Sequence, residues 1–199
     1  MMVKNILNSV LAGISIGLGG LSYLMSPQPV VGAALFAVGL FIIVTWQLAL
    51  FTGQVCRLPY RWSQLELTWL GNLAGTGIVA GLLLLTRSGQ ALQTRAATLF
   101  QIKSGDHLVS LLILGWLCNL CIFLAVDGFQ RIQNTLGKYL AIWLGVMVFV
   151  LSGLEHCVAD MFYWWLAGYP ISGWRVLLVV TLGNILGGAS CALIEKYRR

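Results

Sequence analysis

Six long apolar segments, separated by short polar stretches, follow one another along the chain. A helix needs about 20 apolar residues to cross the hydrocarbon core of a bilayer. Segments of this length run over positions 6–25, 30–52, 65–85, 108–126, 139–161 and 176–194. Turn residues mark their ends, as in Ser26-Pro27-Gln28-Pro29 between the first two segments. The pattern predicts six membrane-spanning helices.

The composition supports a membrane protein. Of the 199 residues, 59% are hydrophobic and 9% are charged, and the mean hydropathy is +0.88. A soluble domain of this size needs more polar surface than that. We therefore expect an all-α integral membrane protein with one transmembrane domain over residues 1–199, and no cleaved secretion signal.

The basic residues indicate how the chain is oriented. They are scattered through the loops without interleaved aromatic residues, which argues against a nucleic-acid partner despite a net charge of +6. A cytoplasmic N-terminus would place eight of them in the cytoplasm and four opposite, which favours two cytoplasmic termini by the positive-inside rule. The eight are Lys4, Arg57, Arg61, Arg131, Lys138, Lys196, Arg198 and Arg199, and the four are Arg87, Arg95, Lys103 and Arg175.

A short motif recurs in the third and sixth segments. Residues 70–75 and 182–187 both read Leu-Gly-Asn-x-x-Gly. Three spans per half give the halves, about 6–85 and 108–194, opposite orientations in the membrane. That is an inverted 3+3 repeat, an arrangement that places a site between the halves near the midplane. The alternative is that the glycines only allow helices to pack closely.

Three ionisable residues lie deep in the fifth segment. Glu155, His156 and Asp160 follow Gly153 after a long apolar run. A charged side chain at the centre of a membrane helix costs about 2.5–3.5 kcal/mol on insertion scales, so such residues usually have a function. His156 is the most informative of them, because imidazole exchanges protons near neutral pH.

The second segment carries a comparable polar position. Thr52 follows Leu50-Phe51 and precedes Gly53. If the second and fifth helices are both broken at these glycines, Thr52 and His156 face each other across a passage. The alternative is that the Thr52 hydroxyl bonds back to its own helix. The pair Cys118 and Cys121 has redox or metal spacing, but its apolar surroundings favour buried thiols and no metal site.

These residues resemble the formate/nitrite transporter family, which includes hydrosulfide channels. The Leu50 to Gly53 stretch resembles that family's Leu-Phe-Thr-Gly loop, and residues 153–161 resemble its Gly-x-Glu-His-x-x-Ala-Asn-Met signature. Residues 180–188 resemble the break in its sixth span, and residues 34–40 the start of its second. Lys103, sixteen positions before Asn119, matches its vestibule lysine.

The resemblance implies an aquaporin-like fold with broken second and fifth helices, assembled as a homopentamer in the inner (cytoplasmic) membrane. Each protomer would pass small monovalent anions of weak acids, without a cofactor and without enzyme activity. The polar pore centre would be Thr52, His156 and Asn184. The cytoplasmic constriction would be Phe36, Leu40 and Ile122, and the other would be Leu50 and Phe149.

A proton would let such an anion pass an apolar constriction. An isolated charge pays a large desolvation cost there, whereas a neutral acid passes much more easily. The hypothesis is that Lys103 attracts the anion and His156, directly or through water, supplies the proton. Transport would then be passive or proton-linked, and a chain with such short tails would be open constitutively or gated by pH.

Asp160 departs from the resemblance, because the family usually has asparagine there. An ionised Asp160 would hold His156 protonated and repel anions, whereas a protonated Asp160 would behave like the asparagine. A structural acid that bonds a neighbouring helix is a further alternative. We expect Glu155 to anchor the broken helix and His107 to lie at the membrane interface.

Three other functions remain open at this stage. A water or neutral-solute channel is disfavoured because neither half has an Asn-Pro-Ala motif. A haem- or quinone-binding subunit of a redox complex is disfavoured because bis-histidine ligation needs two deep histidines. A purely structural membrane protein would show no flux for any small anion.

Overall fold

A computed structural model describes residues 2–198, which form nine helices. Arg199 and the side chain of Arg198, both used in the charge comparison, lie outside the described residues. The helices are α1 (Met2–Met25), α2 (Pro29–Thr45), α3 (Phe51–Gln54), α4 (Trp62–Leu84), α5 (Gly89–Gly105), α6 (Leu108–Arg131), α7 (Thr135–Leu151), α8 (Cys157–Leu166) and α9 (Gly173–Arg198).

The lengths of the apolar helices fit a membrane. Four of them, α1, α4, α6 and α9, are long and apolar enough to cross a bilayer. The other two apolar helices, α2 and α7, have 17 residues each, and each is followed after a break by a short helix. The sequence prediction of an all-helical chain with several apolar helices is confirmed.

Both breaks lie inside predicted spans. After α2, Gln47 adopts a positive φ of 53°, and α3 begins at Phe51. After α7, Gly153 adopts a φ of 65°, and α8 begins at Cys157. Glycine adopts this conformation without steric cost. The break in the second span precedes the Leu-Phe-Thr-Gly stretch, most of which is helical, rather than coinciding with it.

One helix was not predicted. Residues 86–107 read as a loop because they are too polar to span a bilayer, yet Gly89–Gly105 forms α5. Its centre is rich in helix-forming Gln, Ala, Leu and Arg, and Leu92, Ala96 and Phe100 are buried along one side. Lys103 lies in the last turn of α5, and α5 packs against α8.

The repeated motif brings two pairs of helices together. Helix α1 packs on α4, and α6 packs on α9. A Cβ atom on Gly75 would lie 2.1 Å from the carbonyl oxygen of Val10, and one on Gly187 would lie 2.3 Å from that of Trp116. Glycine is therefore required at both positions, and the close-packing interpretation holds for these two residues.

The outer surface is apolar. Large hydrophobic side chains point outward from most of the long helices, among them Leu35, Leu70, Leu124, Leu144 and Leu182. A surface of this kind is unfavourable in water but suits lipid or a neighbouring subunit. It agrees with the chain being a multi-pass membrane protein.

Candidate functional site

The two short helices meet at the centre of the protein. Thr52 lies in the first turn of α3, and His156 directly precedes α8. The Thr52 Oγ1 atom is 3.0 Å from Nε2 of His156, and both side chains are buried. The structure thus brings together the two polar residues that the sequence pattern pairs. Helix α3 begins one residue before Thr52, so no earlier turn offers the carbonyl that back-bonding would need.

The proton positions on His156 follow from its contacts. The backbone N–H of Ala159 donates to Nδ1 at 3.2 Å, so His156 caps α8 and Nδ1 carries a lone pair. In a neutral ring the proton is then on Nε2, which donates to Thr52 Oγ1. The ring of Phe149 stacks on the imidazole with centroids 5.6 Å apart. If Nδ1 also took up a proton, it could no longer accept the hydrogen bond from the Ala159 N–H.

The arrangement leaves Thr52 with a free donor. Its hydroxyl oxygen accepts from His156, so the hydroxyl hydrogen is available for a molecule beside it. Its backbone carbonyl accepts from the Asn119 side-chain amide at 3.2 Å and from the Cys56 thiol at 3.3 Å. Helix α6 therefore fixes α3 through Asn119.

The asparagine of each repeated motif holds one break in place. Asn72 Oδ1 accepts from the Phe51 N–H at 2.9 Å, and Asn72 Nδ2 donates to the carbonyls of Ser9 and Ala49. The contacts with Phe51 and Ala49 join the break before α3 to α4, and the contact with Ser9 joins α4 to α1.

Asn184 repeats that arrangement at the other break. Its Oδ1 accepts from the Cys157 N–H at 2.9 Å, and its Nδ2 donates to the carbonyls of Gly115 and Glu155. Asn184 was expected at the polar pore centre. Its amide group bonds to these backbone groups, and two of them, the Cys157 N–H and the Glu155 carbonyl, lie at the break before α8. The place of Asn184 at the pore centre stays a prediction.

We expect Asn184→Ala to destabilise the protein by about 2–4 kcal/mol, because the buried Cys157 N–H and Glu155 carbonyl at the break lose their partner. The unfolding temperature of the purified protein in detergent measures this loss. Asn5→Ala, at an exposed position, is the matched control and should leave that temperature unchanged. Equal unfolding temperatures for both variants would contradict the role given to Asn184.

Lys103 is buried between two carboxylates. Its Nζ forms an ion pair with Glu155 and lies 3.1 Å from Asp160 Oδ1. The Lys103 side chain is 12% exposed and the Asp160 side chain is 2% exposed. Glu155 thus does more than anchor the break, which the sequence reasoning missed. The sequence carried no signal for this pair, because Lys103 lies in a stretch that reads as a polar loop and its burial depends on α5.

Two cavities flank the contact between Thr52 and His156. The smaller, with a volume of about 80 Å³, is lined by Lys103, His156 and Asp160 among others, and we call it the Lys103 cavity. The larger, of about 480 Å³, is lined by Leu50, Gly53 and Arg57 among others, and we call it the Arg57 cavity. Gly53 directly follows Thr52, so the polar contact lies between the two spaces.

The buried apolar residues divide between these cavities. Phe36 and Phe149 both line the Lys103 cavity, and their rings make an edge-to-face contact with centroids 5.8 Å apart. Leu40 and Leu50 line the Arg57 cavity, and Ile122 lines a third space next to it. Phe36 and Leu40, which the family resemblance groups in one constriction, line different cavities and are about 6 Å apart along α2. Their grouping stays a prediction.

Comparison with known proteins identifies the family. The family model for formate/nitrite transporters matches residues 1–197. The chain belongs to the formate/nitrite transporter family. Nitrite transporter NirC of Salmonella typhimurium is 33% identical over 210 residues, which cover 91% of this chain and 77% of NirC.

Two further matches place this family member among channels. Formate channel FocA of Escherichia coli K12 is 29% identical over 199 residues, which cover 79% of this chain and 69% of FocA. A solved pentameric formate channel with formate bound superposes with a TM-score of 0.86 at 26% identity, covering 99% of this chain and 96% of that one. As a formate/nitrite transporter family member with this fold, the chain is an anion channel or transporter.

Proposed function

We propose that this protein is a passive or proton-linked channel for small monovalent anions of weak acids, such as formate, nitrite or hydrosulfide. The pore of each protomer runs from the Lys103 cavity past Thr52 and His156 to the Arg57 cavity. The observation that carries the proposal is the 3.0 Å contact between Thr52 and His156, with one cavity on either side of it. The two half-helix N-termini that begin at these residues add positive potential at the crossing point.

The apolar residues on the two sides of this contact determine which species passes. Phe36 and Phe149 lie on one side, and Leu40 and Leu50 lie on the other. An anion without a counter-charge is poorly solvated among them, whereas the neutral acid loses little on entry. The transported species is therefore neutral as it crosses, and the free hydroxyl hydrogen of Thr52, which neutral His156 holds in place, offers it a hydrogen bond.

The solved relative supports a proposal for the assembly, and the distribution of basic residues supports one for the orientation. The superposed solved structure is pentameric, and the exposed apolar surface offers area for the same arrangement here, so we propose a homopentamer. The halves 6–85 and 108–194 of one channel domain form an inverted repeat, with Asn72 and Asn184 in equivalent roles. The Arg57 cavity opens to the cytoplasm beside both termini, and the protein resides in the cell's inner membrane.

The transport assay uses purified protein in liposomes and a panel of formate, nitrite and hydrosulfide, each applied as a gradient. We expect flux above empty liposomes for at least one of these anions. Thr52→Val should lower that flux by about tenfold, the equivalent of one buried hydrogen bond. Thr52→Ser keeps the hydroxyl and is the matched control. A panel with no flux in the wild type would overturn the proposal.

A further inference from the structure

The ion cluster beside the Lys103 cavity has unequal charges. Lys103 supplies one positive charge, whereas Glu155 and Asp160 supply two carboxyl groups. All three side chains are nearly inaccessible to solvent, with exposed fractions of 12%, 6% and 2%. If all three were ionised, one negative charge would lie buried without a counter-ion, which is strongly unfavourable.

One carboxylate oxygen in this cluster lacks a partner. Asp160 Oδ1 lies 3.1 Å from Lys103 Nζ, but Asp160 Oδ2 is buried and has no hydrogen-bond partner among residues 2–198. Asp160 and Glu155 both contact the Lys103 ammonium group, so their carboxyl groups lie close together, and a hydrogen bond between them would pair the orphan oxygen. Such a bond needs a proton, since two ionised carboxylates offer only acceptors. A shared proton satisfies the orphan oxygen and neutralises the cluster.

We propose that Glu155 and Asp160 share one proton beside Lys103, and that this carboxyl pair gives the proton to the anion entering the Lys103 cavity. Paired carboxyl groups in other proteins hold a single proton between them for the same electrostatic reason. The inference rests on the proposed function, because it names the proton source for the neutral species that crosses the pore. It also explains how His156 can stay neutral during transport.

The transfer step balances without a further reactant. The O–H bond of the carboxyl pair breaks, and a bond forms between that proton and the oxygen or sulfur of the anion. The neutral acid leaves towards His156, and water on the same face of the membrane returns a proton to the pair. Lys103 remains an ammonium throughout and holds the anion near the donor.

Few other titratable groups act on Asp160. The break before α8 contributes Glu155 and His156, α5 contributes Lys103, and Tyr163 and Cys157 lie on α8 itself. Helices α1 and α6 contribute Tyr23 and Cys118.

Of the three remaining cations on this side, Arg87 is exposed to solvent, and the other two are engaged elsewhere. Arg95 of α5 donates to the Leu24 carbonyl, and Arg175 of α9 donates to the carbonyls of Ser104 and Asp106. Glu66 is at the opposite end of α4, which contributes no other charged side chain. Lys103 and Glu155 are thus the charged groups that decide where the proton lies.

Infrared spectroscopy tests the shared proton without any transport. A protonated carboxyl group has its own carbonyl stretch, and the chain has only six Asp and Glu side chains. We expect this band at neutral pH in the purified wild type. Asp160→Asn and Glu155→Gln should each remove it, because Lys103 then balances the one carboxylate that remains.

Asp106→Asn is the matched control for the spectrum. Hydrogen bonds from the Ser110 hydroxyl and the His107 amide lower the pKa of Asp106, so it is ionised at neutral pH and contributes nothing to the band. That variant should keep the wild-type band. Absence of the band in the wild type, or its survival in Asp160→Asn, would overturn the shared proton.

Flux in liposomes then tests the transfer. At neutral pH, Asp160→Asn should transport formate or nitrite about tenfold to a hundredfold more slowly than the wild type, the lower range for a lost proton donor. The ratio should shrink towards acidic pH, where water protonates the anion. The same pH profile in both proteins would overturn the transfer step. A wild type with the infrared band but no flux would instead contradict the proposed function alone.

Discussion

Lys103→Met is expected to destabilise the folded protein by about 3–5 kcal/mol, the usual effect of removing one partner from a buried ion pair. The variant leaves Glu155 and Asp160 together in a buried site without a cation. The loss should show as a lower yield of folded protein and a lower unfolding temperature. Because protons can replace the missing cation, the difference from wild type should narrow as the pH falls.

A triple variant separates charge from shape in this experiment. Lys103→Met combined with Glu155→Gln and Asp160→Asn removes every charge from the cluster while it keeps similar volumes. We expect it to recover most of the lost stability, yet to need a higher anion concentration for half-maximal flux because no cation concentrates the anion. Lys4→Met, at an exposed position, should change neither quantity. A Lys103→Met variant as stable as wild type would contradict the buried cluster.

His156→Phe is expected to lower anion flux by about tenfold or more at every pH. The change removes the cap on the Ala159 N–H and the donor to Thr52, and lost caps alone cost about 0.5–2 kcal/mol. Stopped-flow measurements on liposomes give the flux, and size-exclusion chromatography shows whether the variant remains folded.

His156→Asn is the informative companion to that variant. Asparagine caps helices well and keeps a donor, but it cannot titrate. We expect it to recover most of the flux lost in His156→Phe and to show the wild-type pH profile. If the pH dependence disappeared in His156→Asn, the proton would come from His156, as the sequence pattern alone suggested, and the role given to Glu155 and Asp160 would be wrong.

The spans could be predicted because the bilayer imposes them. Any helix that crosses lipid must be long and apolar, so hydropathy located the helices and Gly153 marked one break. Hydropathy did not predict helix α5, because its sequence is too polar to span a bilayer and contains no long periodic apolar run. The position of α5 is nevertheless essential to the site, because it places Lys103 beside Glu155 and Asp160.

The pairing of Thr52 with His156 was also predictable, because each lies near a glycine in one of two corresponding apolar segments, the second and the fifth. The partner of Lys103 was not, because it depends on how α5 folds back over the second break. Asn184 was assigned to the pore because it is polar, whereas the hydrogen bonds of its amide group to the break before α8 could not be predicted without the fold. In a membrane protein, backbone groups that a helix break leaves unpaired need hydrogen-bond partners, and polar side chains supply them.

The transported species can be identified by recording anion entry and internal pH at the same time, in liposomes that hold the wild-type protein. If the anion crosses as its neutral acid, each entering formate or nitrite carries a proton, so the interior acidifies in proportion to the flux. An imposed membrane potential should then leave the flux unchanged, since no net charge moves. Flux that follows the membrane potential without internal acidification would show that the bare anion crosses, and would contradict the account.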